Sequence, residues 1–201
     1  MRQATIDLYK FNELSDEAKQ TVIEAYRNEY CDYNSYGWHQ ENDESLTAFC
    51  DLFNINIRSY DIDRGHINFI NFTINHDSDI LHLEFLRLRT YLLNNYGYIL
   101  YKPKYLKHIK GKPYYSKCQT ESYNCNLTGY CFDDHLLDEI YKFIKNPDNR
   151  SFEELISDCL YSWIFAYRNE IEHIHSDEYI TEELIAMGYE YYENGTEYIG
   201  E

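Results

Sequence analysis

The chain has 201 residues, with 35 acidic against 18 basic side chains and a formal net charge of −17. That sign disfavours direct binding to a nucleic-acid backbone, which rewards cationic surfaces. No apolar run approaches the ~20 residues of a membrane-spanning helix, and Met1 to Asp7 lack the hydrophobic core of a secretory signal. A cytoplasmic protein with six reduced cysteines is therefore expected, and the length suits one full core. Tyrosine is abundant, with 23 copies against 10 Phe and 2 Trp. Its rigid apolar ring and polar tip serve both core packing and contact surface.

In chain order, residues 6–11 alternate apolar and polar side chains and read as a short strand. Ser15 caps a helix with Asp16 and Glu17 in its first turn and Ala18, Val22, Ala25 and Tyr26 along one face. Residues 31–42 read as an irregular connection. A helix over 44–53 follows, with Leu46, Phe49, Cys50 and Phe53 inside. Residues 55–74 read as a strand pair turning at Asp63-Arg64-Gly65. The apolar stretch 80–93 reads as one central helix covered on several sides.

Residues 102–117 hold six lysines and no carboxylate, one third of the 18 basic residues. Pro103, Gly111 and Pro113 oppose a helix there, so a protruding Lys-rich loop or an irregular strand pair is expected. Residues 114–132 read as a further hairpin. A helix starting at Asp133 or Asp134 carries Leu136, Leu137, Ile140, Tyr141 and Ile144 and ends at Asn146-Pro147.

The last quarter, 151–199, is the most legible. Ser151 and Glu154 have capping-box spacing. Ile156, Leu160, Trp163, Tyr167, Ile171 and Ile174 then form a stripe at steps of four and three. Ser176, with Asp177 and Glu178 behind it, starts a second helix that should stop at Gly188. Asn194-Gly195 suits the type I′ turn of a closing hairpin, giving a helix-helix-hairpin unit. Strands and helices come in clusters without strict alternation. The expected fold is therefore α+β, a single domain over 1–201 in which antiparallel hairpins pack with about five or six helices.

Chemistry-bearing constellations are sparse. Cys118, Cys125 and Cys131 lie near His108 and His135 but lack the paired spacing of a zinc site, so packing as reduced thiols is favoured. His173 and His175 sit two apart near a helix end, which points their rings away from each other; interaction with the terminal carbonyls is expected. Asp61 and Asp63, with Arg64 and His66 close by, could hold a divalent cation through oxygen ligands at a turn. A hairpin whose aspartates bond their own turn is the favoured reading of them. Nucleotide-binding loops and nucleophile elbows are absent; no cofactor is expected, and the chain is read as non-enzymatic.

Residues 170–201 contain ten carboxylates and no Lys or Arg. With Ile180, Leu184 and Met187 turned inward, Glu178, Glu182 and Glu183 should lie outside. Glu190, Glu193 and Glu197 should share the solvent with Tyr189, Tyr191 and Tyr192. Such a surface repels nucleic acid and attracts a cationic groove.

The chain also resembles a known group. Residues 11–20 (FNELSDEAKQ), 60–65 (YDIDRG), 176–180 (SDEYI) and 189–195 (YEYYENG) are similar to a widespread group of small acidic proteins of phages and prophages, chiefly of low-GC Gram-positive bacteria. Residues 129–144 and 158–163 extend the likeness over nearly the whole chain. The resemblance implies a counter-defence setting and, with the charge, an anti-CRISPR-like inhibitor. Its partner would be a host defence protein or ribonucleoprotein with a basic groove, met by carboxylates standing in for phosphates. Two alternatives follow from the same residues: a divalent-metal enzyme or nucleotide-binding protein built on Asp61, Asp63 and His66 that neutralises a defence signal, or a regulatory, antitoxin-like binding protein.

Overall fold

The computed structural model describes residues 6–30, 37–62, 68–100, 103–120 and 125–199. Among them the elements run β1 (Tyr9–Lys10), a 3-10 turn (Phe11–Glu13), α1 (Asp16–Tyr30), α2 (Gly37–Phe53), β2 (Ile55–Asp61), β3 (Phe69–Ile74), α3 (Ser78–Leu81), α4 (Phe85–Leu100), β4 (Pro103–Ile109), β5 (Lys112–Thr120), α5 (Phe132–Lys145), α6 (Phe152–Ile174), α7 (Asp177–Met187) and β6 (Glu190–Tyr191). The fold is α+β, with seven α-helices and three antiparallel strand pairs among the described residues: β1–β6, β2–β3 and β4–β5. The chain divides into two compact units, one formed by Met1–His39 with Asn169–Glu201 and the other by Gln40–Arg168.

In the first unit, local chemistry sets the helix ends. The Ser15 hydroxyl accepts the Ala18 amide at 3.2 Å and starts α1. The Ser176 hydroxyl accepts the Tyr179 amide at 3.2 Å and starts α7, and Gly188, left-handed at φ 66°, ends it. Phe11, Leu14, Ala18, Val22, Ile23, Tyr26, Ile180, Leu184 and Tyr191 form one buried cluster, with Tyr9 and Tyr179 packed at its margin. Ala25, expected on the inner face of α1, is exposed. Burying the cluster's larger aliphatic side chains contributes about 1.5–3 kcal/mol each. The sequence-distant halves are joined by pairing of Tyr9 with Tyr191 and Lys10 with Glu190.

The expected closing hairpin forms as a single antiparallel bridge, Tyr191 opposite Glu197, with a turn of another type. The strand 190–191 pairs with β1, and the following loop closes on itself through Tyr192 N–H to Thr196 O (2.8 Å), Gly195 N–H to Tyr192 O (2.9 Å) and Tyr198 N–H to Glu190 O (2.8 Å). Only Gly195 of the Asn-Gly pair has positive φ, at 84°, so the turn is not type I′. The reason is tertiary. A Cβ on Gly195 would stand 2.7 Å from Ala18 O and 3.1 Å from Val22 Cγ2, so the loop lies directly on α1.

The second unit holds the larger core. Phe49, Phe53, Leu88, Leu92, Leu100, Leu136, Leu137, Ile140, Phe143, Phe152, Leu155, Ile156, Leu160 and Trp163 are essentially solvent-free. Leu46, Phe49, Cys50 and Phe53 face inward as expected, but α2 begins at Gly37, well before residue 44. The capping box of α6 is real: Ser151 Oγ accepts the Glu154 amide at 3.2 Å, and Glu154 Oε2 accepts the Ser151 amide at 2.8 Å.

Three expectations are corrected here. The helix over 80–93 is broken into α3 and α4, because Glu84 bridges to Ser151 and the Phe152 amide donates to Leu83 O at 3.0 Å. These outside partners take the break away from the helix ladder. The helix α4 is also amphipathic rather than covered all round: Leu88, Leu92, Tyr96 and Leu100 are buried, whereas Leu86 and Tyr98 are exposed. Of the two forms expected for the Lys-rich segment, the irregular strand pair is present, with Ile109 opposite Lys112 across Lys110-Gly111 and register shifts along it. Strand β5 pairs with β4, and among the described residues no strand follows it before α5, so the further hairpin expected over 114–132 is not seen there. Residues 125–131 instead make an irregular turn organised by Asp133, whose buried carboxylate accepts the amides of Leu127 (2.9 Å), Thr128 (2.7 Å) and Gly129 (3.1 Å) and the Thr128 hydroxyl (2.9 Å).

Candidate functional site

Charge is distributed unequally between the two units. Met1–His39 with Asn169–Glu201 contains 17 acidic and four basic residues, a net −13, which leaves 18 acidic and 14 basic residues, a net −4, for Gln40–Arg168. The N-terminal half of the first unit adds seven of those carboxylates, so the acidic surface is larger than the tail 170–201 alone. At ionic strength near 0.15 M the field of such a surface reaches ~8 Å.

Two basic side chains of this unit, Lys10 and Arg27, are held by its own groups. Lys10 Nζ donates to Gly188 O at 2.8 Å, closing the carbonyl end of α7, and lies 3.3 Å from Glu190 Oε1. Arg27 Nε donates to His175 O at 3.0 Å, and its guanidinium pairs with Asp177. His175 Nδ1 is 2.8 Å from Ile171 O, the helix-end contact expected for it, while the His173 ring lies 5.1 Å edge-on to Tyr179.

Of the expected contact residues, Glu178, Glu182, Glu190, Glu193 and Glu197 are exposed, and Tyr189 (42%) and Tyr192 (36%) present much of their rings. Glu183 is half-buried. Glu190 is paired with Lys10 at 3.3 Å. Met187, expected inward, is 39% exposed, and the neighbouring Ile185 is 45% exposed. Tyr191 is corrected outright: it is 2% exposed and belongs to the core. Its hydroxyl has no hydrogen-bond partner among the described residues. Burial, with Glu197 and Tyr189 nearby, pushes the phenol up to about 12. Tyr192, the residue after the strand, is exposed where Tyr191 is buried.

Nothing in the sequence indicates that Asp7 lies beside the loop after β6. An open concavity of about 730 Å³ lies in the first unit between the segment carrying Asp7 and Tyr9 and the loop carrying Tyr192, Glu193 and Asn194. The signal available in sequence, the alternation of residues 6–11, marks a strand but not its neighbour at 190–191.

The other candidates gain little. Asp61 is exposed at the end of β2, and Asp63, Arg64 and His66 lie outside the described residues. Among the described residues no three His, Cys, Asp or Glu side chains gather as a cation site. Cys50 and Cys159 are buried free thiols, and burial raises both, Cys50 to about 12, which keeps them protonated. Arg150 holds together Asp148, Glu139 (3.0 Å) and Asp158 (2.7 Å) in the second unit, a cross-link between α5, α6 and their connection rather than an open site. No described helix is long and apolar enough to cross a membrane. In comparisons with known protein families, characterised proteins and solved structures, the chain matches none.

Proposed function

We propose that the protein is a phage-encoded, non-enzymatic inhibitor of a host nucleic-acid-targeting defence complex, anti-CRISPR-like, acting in the cytoplasm of the infected bacterium. The observation that carries this reading is the net −13 of the first unit, whose lysine and arginine contacts at Lys10 and Arg27 are spent on its own backbone and carboxylates. Exposed Glu178, Glu182, Glu193 and Glu197 offer repeated negative charge, and Tyr189 and Tyr192 add rigid contact area. A defence enzyme must bind phosphates through a basic groove. A folded surface of carboxylates competes for that groove and requires no chemistry of its own.

The test uses the full chain against purified RNA-guided nuclease and restriction complexes of the host, scored by cleavage of target DNA. Wild type should block cleavage by one complex. The variant carrying Glu178→Lys, Glu182→Lys and Glu197→Lys should restore it while melting near the wild-type temperature. Inhibition that survives the triple reversal sinks the acidic-mimic reading.

A further inference from the structure

The concavity of the first unit has a composition suited to one kind of side chain. Two tyrosines, Tyr9 and Tyr192, and two carboxylates, Asp7 and Glu193, line it together with Ile6, Asn194 and Thr196. Asp7 and Glu193 are exposed, and neither forms an ion pair among the described residues. We propose that this concavity is an arginine-binding site, which receives a guanidinium side chain projecting from the basic groove of the partner protein.

Four features support this assignment. A planar guanidinium is weakly hydrated, stacks on aromatic faces and offers a fork of N–H donors that matches carboxylates, whereas an ammonium is a compact, strongly hydrated point charge. Two tyrosines and two unpaired carboxylates provide both halves of that recognition. The lining is also held in place: Tyr192 stands edge-on to Tyr198, with centroids 5.9 Å apart, and the loop that carries it closes through the hydrogen bonds of Tyr192, Gly195 and Tyr198. The Asn194 carboxamide oxygen accepts the Thr196 amide at 3.0 Å, and Asp7 and Glu193 supply the charged acceptors for an incoming donor. Finally, the net −13 around the site selects against anions and attracts a cation before contact. A volume of about 730 Å³ exceeds one side chain, so flanking residues of the partner enter with it.

This site rests on the proposed inhibitory surface but can be tested apart from it. The full isotope-labelled chain is titrated with a capped Gly-Arg-Gly-Arg-Gly peptide and with its lysine counterpart at equal ionic strength, and amide shifts are followed by NMR. Saturable shifts should gather at Asp7, Tyr9, Tyr192 and Glu193, with the arginine peptide binding at least about threefold tighter than the lysine peptide. The Asp7→Asn/Glu193→Gln variant should lose at least about tenfold in affinity with its melting temperature unchanged. Tyr192→Ala should weaken binding further than Tyr192→Phe. Equal binding of the two peptides, shifts centred elsewhere, or full affinity in the double variant would overturn the assignment. A chain that binds the peptide yet inhibits no nuclease complex keeps this site and loses the proposed function. A chain that inhibits through Glu178, Glu182 and Glu197 but fails these titrations does the reverse.

Discussion

Replacing Gly195 by alanine separates the two demands its position makes on the chain. At φ 84° an L side chain is strained, which costs about 1–2 kcal/mol. The new methyl would also meet Ala18 O at 2.7 Å and Val22 Cγ2 at 3.1 Å, and the first contact is with helix backbone, which cannot turn aside. The loop must lift from α1, exposing part of the Val22 and Tyr191 surface, so the total loss should reach about 2–4 kcal/mol. Gly188 provides the control, because it has φ 66° but nothing within 4 Å of its would-be Cβ. Gly188→Ala should lose only about 1 kcal/mol. By calorimetry or far-ultraviolet dichroism, Gly195→Ala should melt roughly 5–12 °C below wild type and Gly188→Ala roughly 2–4 °C below. Equal shifts for the two variants would refute the close approach of the loop to α1.

Other outcomes follow from the buried polar groups. Asp133→Ala strands three amides and the Thr128 hydroxyl, and urea unfolding should show a loss of about 2–4 kcal/mol. Arg150→Ala should cost about 1–2 kcal/mol at pH 7, after allowance for the exposure of Asp148 and Asp158. Lys142 and Arg150 hold Glu139 below the usual carboxylate range, and Arg150 does the same for Asp148. These carboxylates therefore contribute stability above their unfolded pKa values, and the contribution is lost as pH falls through the lowered folded values. The Arg150→Ala deficit should accordingly shrink below about pH 4, as read by melting across pH. Tyr191, raised from 10.0 to about 12, has the opposite sign: its contribution is present below pH 10 and is lost between pH 10 and 12. Tyr191→Phe, which removes a hydroxyl without a partner among the described residues, should be neutral or stabilising at pH 7 and should flatten that alkaline loss.

The features legible in sequence were those determined by a few neighbouring residues. Ser151 with Glu154, and Ser176 with Gly188, cap their helices through contacts that span three residues or mark a single left-handed position, so spacing alone identified them. The break at residues 82–84 was not legible, because its backbone partner is Ser151, far along the chain. The Asn-Gly turn misled for the same reason: packing on Ala18 and Val22, not the dipeptide's own preference, decides its form. At the candidate site the acidic tail was evident, but its union with residues 1–39 depends on the pairing of Tyr9 with Tyr191, which no local pattern encodes. A two-residue strand also has no periodicity from which to choose its inward side, so Tyr191 and Tyr192 could not be told apart.

The central claim is that a folded carboxylate surface occupies a site made for phosphates. Its most direct test measures the affinity of the full chain for the captured host complex as salt rises from 50 to 300 mM, with and without the complex's own nucleic acid. The account predicts that affinity falls by about tenfold or more over that range and that nucleic acid and this protein exclude one another. Affinity that stays flat with salt, or simultaneous binding of both, would contradict it.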